Sequence, residues 1–197
     1  MLLETAAAAG RLGLVEPLIA HNIDVNTTGS HYGTALPAAC RFGRTNVAEA
    51  LSKAGADPNL IQGEYCTALR AAVVSGSLPT VLLLLEFQAD TKLTGPCWRA
   101  GDLHPTALYL AVREKRADIV SVLLDAGASV EDAHNEDYLP KILVSACDWG
   151  ECSVVRRLID TGANLRSSSS CTGRHRNHVT HTSAIHAAIS FGHHDVV

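Results

Sequence analysis

Small apolar residues recur along this chain in short runs, and each run leads into a glycine. The runs 34–39 and 67–72 share a Thr-Ala-Leu opening and a Leu-x-x-Ala spacing. That spacing places the apolar side chains on one face of a short helix. The glycine permits the positive φ that a tight turn into a second helix needs. The pattern therefore predicts pairs of short helices, a helix A and a helix B, joined by glycine turns.

The helix pairs repeat at a fixed period. The marker glycines Gly10, Gly43 and Gly76 lie 33 residues apart, and a second turn of the form Gly-Ala-Asp-x-Asn follows helix B at 55–59. The run 183–188, Ser-Ala-Ile-His-Ala-Ala, is close to the Thr-Pro-Leu-His-x-Ala signature of a 33-residue two-helix repeat. The chain thus resembles the ankyrin-repeat family over essentially its whole length. The resemblance implies an all-α solenoid of stacked helix-turn-helix units with β-hairpin or loop fingers.

The period predicts one continuous domain over residues 1–197. Helix A of repeat five is expected near 142–149 and helix B near 152–160, and Lys115 stands where a marker glycine is expected. The chain stops inside helix B of its last repeat, so we expect either a piece of a longer protein or a short gene product whose last helix is poorly ordered. The expected repeats, the last of them incomplete, span about 1–28, 29–61, 62–94, 95–133, 134–168 and 169–197.

Composition narrows the class of protein. Hydrophobic residues make up 47 % of the chain but aromatic residues only 5 %, so the core must consist of Ala, Leu, Val and Ile. A net charge of −4 without a basic run argues against binding to nucleic acid. No apolar stretch approaches the roughly 18–20 residues of a membrane span, and the first residues read as a repeat helix rather than a signal peptide. No cofactor is implied.

The six cysteines have no spacing typical of a disulfide framework. Cys40 and Cys147 occupy a slot of the repeat where a small buried residue is required, and free cysteine behaves there as a small hydrophobe. We therefore expect reduced thiols and a cytoplasmic protein.

The resemblance implies that a partner would be bound on a concave face, formed by the fingers and by the two residues before each marker position. Insertions relative to the 33-residue period fall at 94–104, 134–138 and 166–181, and insertions in such repeats often lie on the binding face. Large aromatic residues give contact area at low entropic cost, although these rings could instead pack on the adjacent finger. The candidate partner-binding residues are Arg41, Phe42, Trp98, Arg99, Arg113, Glu114, Tyr138, Asp148, Trp149 and Phe191.

Tyr32 and Tyr65 occur at equivalent places, each two residues before a Thr-Ala-Leu opening. Because they recur in register, we expect a structural role in the fingers rather than contact with a ligand. This variant of the finger resembles ankyrin arrays of large fungal proteins.

Six of the ten histidines lie between residues 175 and 194. Cys171, His175, His178 and His181 offer sulfur and nitrogen ligands of the kind that zinc binds, but their spacing matches no standard closed site. A Ser-rich loop is the preferred interpretation. A metal-binding or enzymatic role for residues 171–194 is the alternative.

The sequence contains none of the phosphate-binding, hydrolase or metalloprotease motifs that would indicate an enzyme. It therefore predicts a non-catalytic module that binds a protein partner, with neither nucleic acid nor membrane involved. A regulatory or sensor arm of a larger signalling protein or enzyme is an alternative. Self-association through the unfinished last repeat is a further expectation.

Overall fold

A computed structural model describes residues 1–29, 31–65, 67–94, 106–129 and 139–162. Over these residues the chain forms ten helices and no strand, and the stretches between repeats are turns. The expected all-α repeat solenoid is confirmed. The helices are α1 (Leu2–Ala8), α2 (Leu12–Ala20), α3 (Ala35–Arg41), α4 (Thr45–Lys53), α5 (Ala68–Ser75), α6 (Leu78–Glu86), α7 (Ala107–Arg113), α8 (Ala117–Asp125), α9 (Leu139–Trp149) and α10 (Cys152–Asp160).

The chain divides into two compact units, residues 1–110 and residues 111–197, with the division inside α7. In the first unit α3 packs between α1 and α5, so the A helices form one layer. The B helices form a second layer, in which α4 packs between α2 and α6. In the second unit α10 packs against α8 and α9. A single continuous domain over the whole chain stays a prediction.

Small residues explain how the A helices approach each other closely. In α3 the side chains of Leu36, Ala38, Ala39 and Cys40 are all fully buried, and α5 and α7 bury the equivalent Leu-x-x-Ala face. Ala and Cys leave little side-chain volume between neighbouring backbones, which permits dense packing. Cys40 and Cys147 are both buried free thiols, as the sequence predicted.

The Thr-Ala-Leu opening works as a helix start. Thr67 precedes α5, and its hydroxyl accepts a hydrogen bond from the Arg70 amide at 3.3 Å. Thr106 does the same for the Tyr109 amide at 3.1 Å. Each hydroxyl satisfies one of the amides that a helix N-terminus leaves without a partner. The threonine thus caps α5 and α7, whereas the Thr34 hydroxyl makes no such bond at the start of α3.

Helix α9 begins at Leu139, three residues before the expected start near 142. Pro140 lies in its first turn, where the missing backbone N–H would have no partner inside the helix anyway. A proline that marks a loop in most contexts is therefore compatible with a helix start here. The end of α9 at Trp149 and the bounds of α10 agree with the prediction.

Both turns of each repeat require the left-handed backbone conformation. Lys115, in the marker-glycine slot, has a φ of 57°, so this non-glycine residue adopts the same turn as the marker glycines. In the second turn Asn22 and Gln88 take φ values of 57° and 62° at the slot that Gly55 occupies in repeat two. Most residues adopt this conformation only at a cost, which is why glycine dominates both slots.

A ladder of asparagine side chains joins the second turns of adjacent repeats in the first unit. The Asn26 side chain donates a hydrogen bond to the Gly55 carbonyl at 3.1 Å and accepts one from the Asp57 amide at 2.9 Å. Asn59 repeats both bonds one repeat further along, at 3.1 and 2.8 Å. The next position in register is Lys92, so the asparagine series ends there.

Throughout the part of the chain that the structure describes, every helix is too short or too polar to cross a membrane.

Candidate functional site

Arg41 is the centre of a group of aromatic side chains at the end of α3. Its Nε donates a hydrogen bond to the Tyr65 hydroxyl at 2.7 Å. Its guanidinium carbon lies 5.3 Å from the centre of the Tyr65 ring and 5.7 Å from that of Phe42. Both distances are within the range at which a cation is attracted by a ring face. We call Tyr32, Arg41, Phe42 and Tyr65 the Arg41 cluster.

Tyr32 completes the Arg41 cluster. Its ring stacks parallel to that of Tyr65 at 6.5 Å between centres and meets the Phe42 ring edge to face at 5.6 Å. Offset-stacked and edge-to-face pairs are the favourable geometries for aromatic rings. The two tyrosines come from consecutive fingers and Phe42 from the turn after α3, so the cluster depends on the stacking of repeats two and three.

A second contact joins the same two fingers. The Glu64 amide donates a hydrogen bond to the His31 carbonyl at 3.1 Å, and the Glu64 carboxylate lies 2.7 Å from Nε2 of His31. Glu64 is buried, whereas His31 is exposed. This pairing fixes the finger positions beside Tyr32 and Tyr65 and so supports the cluster.

The members of the Arg41 cluster differ in exposure. Tyr65 is buried at 6 % exposure, and Tyr32 and Arg41 are half-buried. Phe42 is 43 % exposed, and it is one of only a few large apolar side chains with that degree of exposure among the described residues. The predicted packing role holds for Tyr65. Phe42 packs on Tyr32 in the finger of its own repeat and is also exposed to solvent.

Two further arginines are exposed beside the cluster. Arg44 follows Gly43 and Arg11 follows Gly10, so they occupy equivalent slots in repeats two and one. The Arg44 side chain lies against the turn of repeat one, with Nε 3.5 Å from the Ala8 carbonyl. Neither Arg44 nor Arg11 forms an ion pair with any described residue. The A-to-B turns of repeats one and two therefore each carry an exposed positive charge.

Glu4 is a buried acid that the sequence reading missed. It is 5 % exposed, and its Oε1 accepts a hydrogen bond from the Tyr32 amide at 2.9 Å. Gly29 leaves room for this carboxylate, because a Cβ on Gly29 would overlap it. Glu4 thus holds the finger that presents Tyr32.

The signal that could have revealed Glu4 lies in the repeat register. It occupies the slot six residues before the marker, which is the slot of His186 in the predicted sixth repeat. Arg70 occupies the same slot in repeat three and is only 1 % exposed. A charged residue in an inward-facing slot of helix A indicates a buried polar contact, because burial without a partner is costly.

Arg113 and Glu114 occupy in repeat four the slots of Arg41 and Phe42. They pair with each other, and Nη2 of Arg113 lies 3.0 Å from Oε1 of Glu114. In repeat five Asp148 is exposed and Trp149 half-buried at the end of α9. The structure therefore brings together Arg41 with Phe42, and Arg113 with Glu114.

Four candidates lie outside the described residues, namely Trp98, Arg99, Tyr138 and Phe191. The histidine-rich segment 171–194 lies outside them too. Within the ranges that the structure describes, no group of three or more metal-ligating side chains occurs.

Comparison with known proteins identifies the family. A family model described as ankyrin repeats, in three copies, matches residues 3–95 and 55–137. These matches span more than half of the chain, so the chain belongs to the ankyrin-repeat family. A search of curated proteins finds no match to this chain.

Ankyrin repeats are generally protein-interaction modules, and their domains are typically not catalytic. The fold and the matched family thus define a class of protein that generally works as an interaction module.

Proposed function

We propose that this chain is a protein-interaction module that binds a macromolecular partner through the Arg41 cluster. The observation that carries the proposal is the half-exposed Phe42 ring held between Arg41 and Tyr32. Aromatic residues and arginine are the side chains most often found at energetic hot spots of interfaces. Because neighbouring rings already fix Phe42 and Arg41, little side-chain entropy is lost when a partner binds.

The second unit carries its own candidates for this function. Trp149 is half-buried at the end of α9, in the slot that Phe42 occupies after α3, and exposed Asp148 precedes it. A large aromatic in the same slot of two repeats supports a shared role in contact. We also propose that the protein works inside the cell, which is supported by the free thiols of Cys40, Cys147 and Cys152.

The test compares the chain with a Phe42→Ala/Trp149→Ala variant in affinity capture from the native organism. A partner that the original chain retains and the variant loses is then purified, and its affinity for both is measured by calorimetry. We expect at least about a tenfold loss, the size of a single hot spot. Leu82→Ala is the matched control, because Leu82 is 48 % exposed but lies in the middle of α6.

Circular dichroism separates binding from folding. The variant should keep its helical signal and melting temperature close to those of the original chain. A variant that loses helicity would show that the Phe42 and Trp149 rings stabilise the fold and are not specific to binding. Equal loss of partner with Leu82→Ala would place the contact surface elsewhere.

A further inference from the structure

We infer that the Arg41 cluster recognises an acidic segment of its protein partner. A carboxylate of the partner would pair with the terminal nitrogens of Arg41, and a neighbouring apolar side chain would cover the Phe42 ring. This inference rests on the proposed function, since it names the chemistry of the partner at the same site.

The guanidinium of Arg41 is only partly used inside the protein. Nε bonds the Tyr65 hydroxyl, and the two rings lie against the guanidinium. The terminal nitrogens of Arg41 have no hydrogen-bond acceptor among the described residues, nor does Arg41 take part in an ion pair there. Their N–H groups form the planar fork that matches a carboxylate in geometry and charge.

Repeat four shows which ligand an arginine binds at the position equivalent to Arg41. Arg113, the equivalent of Arg41, donates hydrogen bonds to the Glu114 carboxylate from both Nε and Nη2, at 3.2 and 3.0 Å. In repeat two the residue after the arginine is Phe42, so the chain supplies no carboxylate at that point. Because Nε of Arg41 already bonds the Tyr65 hydroxyl, an acidic side chain from outside would give the terminal nitrogens of Arg41 the kind of acceptor that Glu114 gives Arg113.

The charges around the cluster favour the same partner. Arg11 and Arg44 add positive charge on the adjacent turns, and both are exposed. The two acids that contact the fingers of the cluster are buried: Glu4 contacts the Tyr32 amide and Glu64 contacts His31. A positive surface attracts an acidic segment and repels a basic one, which gives both faster association and selectivity.

The arginine is also held ready for binding. The Tyr65 hydroxyl and ring restrict a side chain that would otherwise lose about 2 kcal/mol of rotamer entropy on ordering. Tyr65 is itself buried and stacked on Tyr32, so the side chain that holds Arg41 is fixed in place. The carboxylate therefore meets a donor pair that is already oriented.

The test is a peptide selection with two baits in parallel. The full chain and its Arg41→Gln variant are each exposed to a display library of random peptides, and the peptides enriched only by the full chain are synthesised. We expect them to carry Asp or Glu next to an aromatic or aliphatic residue. Their affinity should fall about tenfold or more with Arg41→Gln and should weaken as salt is added.

Two controls isolate the carboxylate contact. Lys53→Gln removes the same charge from α4 at a site where Lys53 contacts Glu49, and it should leave the affinity within about twofold. Replacing the acidic residue of the peptide by its amide should cost as much as Arg41→Gln. The two changes combined should cost little more than either alone. The peptide change leaves the protein untouched, so this arm stands even where a variant folds poorly.

The outcomes separate this inference from the proposed function. Selected peptides without an acid, which nevertheless lose affinity with Phe42→Ala, would overturn the inference and leave the binding surface standing. Identical selections from both baits would also overturn it. Peptides that bind the Arg41→Gln and Phe42→Ala variants as tightly as the full chain would contradict both proposals.

Discussion

The Tyr65 hydroxyl accepts a hydrogen bond from Nε of Arg41 at 2.7 Å, and this bond joins the finger of repeat three to the last turn of helix A in repeat two. The two residues are 24 positions apart in the chain. Tyr65 therefore has a structural task, as its recurrence in register predicted. It also orients the Arg41 guanidinium of the proposed binding surface.

Tyr65→Phe removes this bond and keeps the ring. We expect the free energy of unfolding to fall by about 1 kcal/mol, the net contribution of a typical hydrogen bond. The Nε proton of Arg41 should exchange faster with solvent, which is measured by nitrogen-15 NMR. Tyr32→Phe is the control, because the Tyr32 hydroxyl has no hydrogen-bond partner among the described residues. Equal effects of the two variants would contradict the assignment.

Glu4→Ala should destabilise the first unit by about 1–3 kcal/mol, because the Tyr32 amide then loses its acceptor. Chemical denaturation of the purified chain measures the change. Glu4→Gln keeps an oxygen at the same place and should lose less. If both variants lose the same free energy of unfolding, Glu4 stabilises the fold through its charge, and its bond to the Tyr32 amide contributes little.

Lys115→Gly should stabilise the protein by up to about 1 kcal/mol. Lys115 has a φ of 57°, a conformation that costs a residue with a Cβ about 1–2 kcal/mol, and the greater chain entropy of glycine offsets part of the gain. Thermal melting measures the difference. Lys115→Ala removes the charge but keeps the Cβ, so it should leave the melting temperature nearly unchanged.

The reverse change at a marker glycine checks the same argument. Gly43 has a φ of 61°, and a Cβ there would meet Ser77 at an ordinary contact distance of 3.4 Å. Gly43→Ala should therefore lose about 1 kcal/mol from the backbone alone. A stabilising Gly43→Ala would show that backbone conformation does not explain the glycine slot.

The Cys147 thiol should react slowly with alkylating reagents. Burial, and then the charge of Asp148, raise its pKa from 9.0 to about 11, and only the thiolate is nucleophilic. The folded chain should thus be labelled at Cys152, which is partly exposed, well before Cys147, as read by mass spectrometry. Equal labelling rates in the folded chain would contradict this.

The same shift in pKa makes stability depend on pH. The Cys147 thiol stays neutral in the folded state up to a higher pH than in the unfolded chain. Its contribution to the free energy of unfolding is therefore complete below pH 9.0 and declines as the pH rises toward about 11. Burial also raises the pKa of the Cys40 thiol, in the same direction. Cys147→Ala should make the decline shallower in denaturation curves recorded across this range.

The helices could be predicted because each depends on local pattern. Helix α10 begins and ends where the apolar spacing after Gly150 predicted, and the turn at Lys115 has the φ that its register requires. Helix α9 begins three residues before the predicted start, because the first turn of a helix can include a proline such as Pro140. Periodicity thus fixes the elements and leaves their ends less certain.

The site was predictable only in part. Register identified Arg41 and Phe42 as candidates, and it marked Tyr65 as structural. It did not show that Arg41 contacts Tyr65, because that contact depends on how consecutive fingers stack and which way each side chain turns. Glu4 was missed for a similar reason, since its acceptor role appears only when the finger of the next repeat closes over it.

Because of the asparagine ladder, the hydrogen exchange of two particular amides reports on contacts between repeats. The Asp57 amide is held by Asn26, and the Asp90 amide by Asn59, so each proton is protected by the preceding repeat. Fraying of a repeat's own helices leaves these bonds in place, whereas separation of two repeats breaks them. The exchange rates of these two protons would therefore measure how often neighbouring repeats part, one junction at a time.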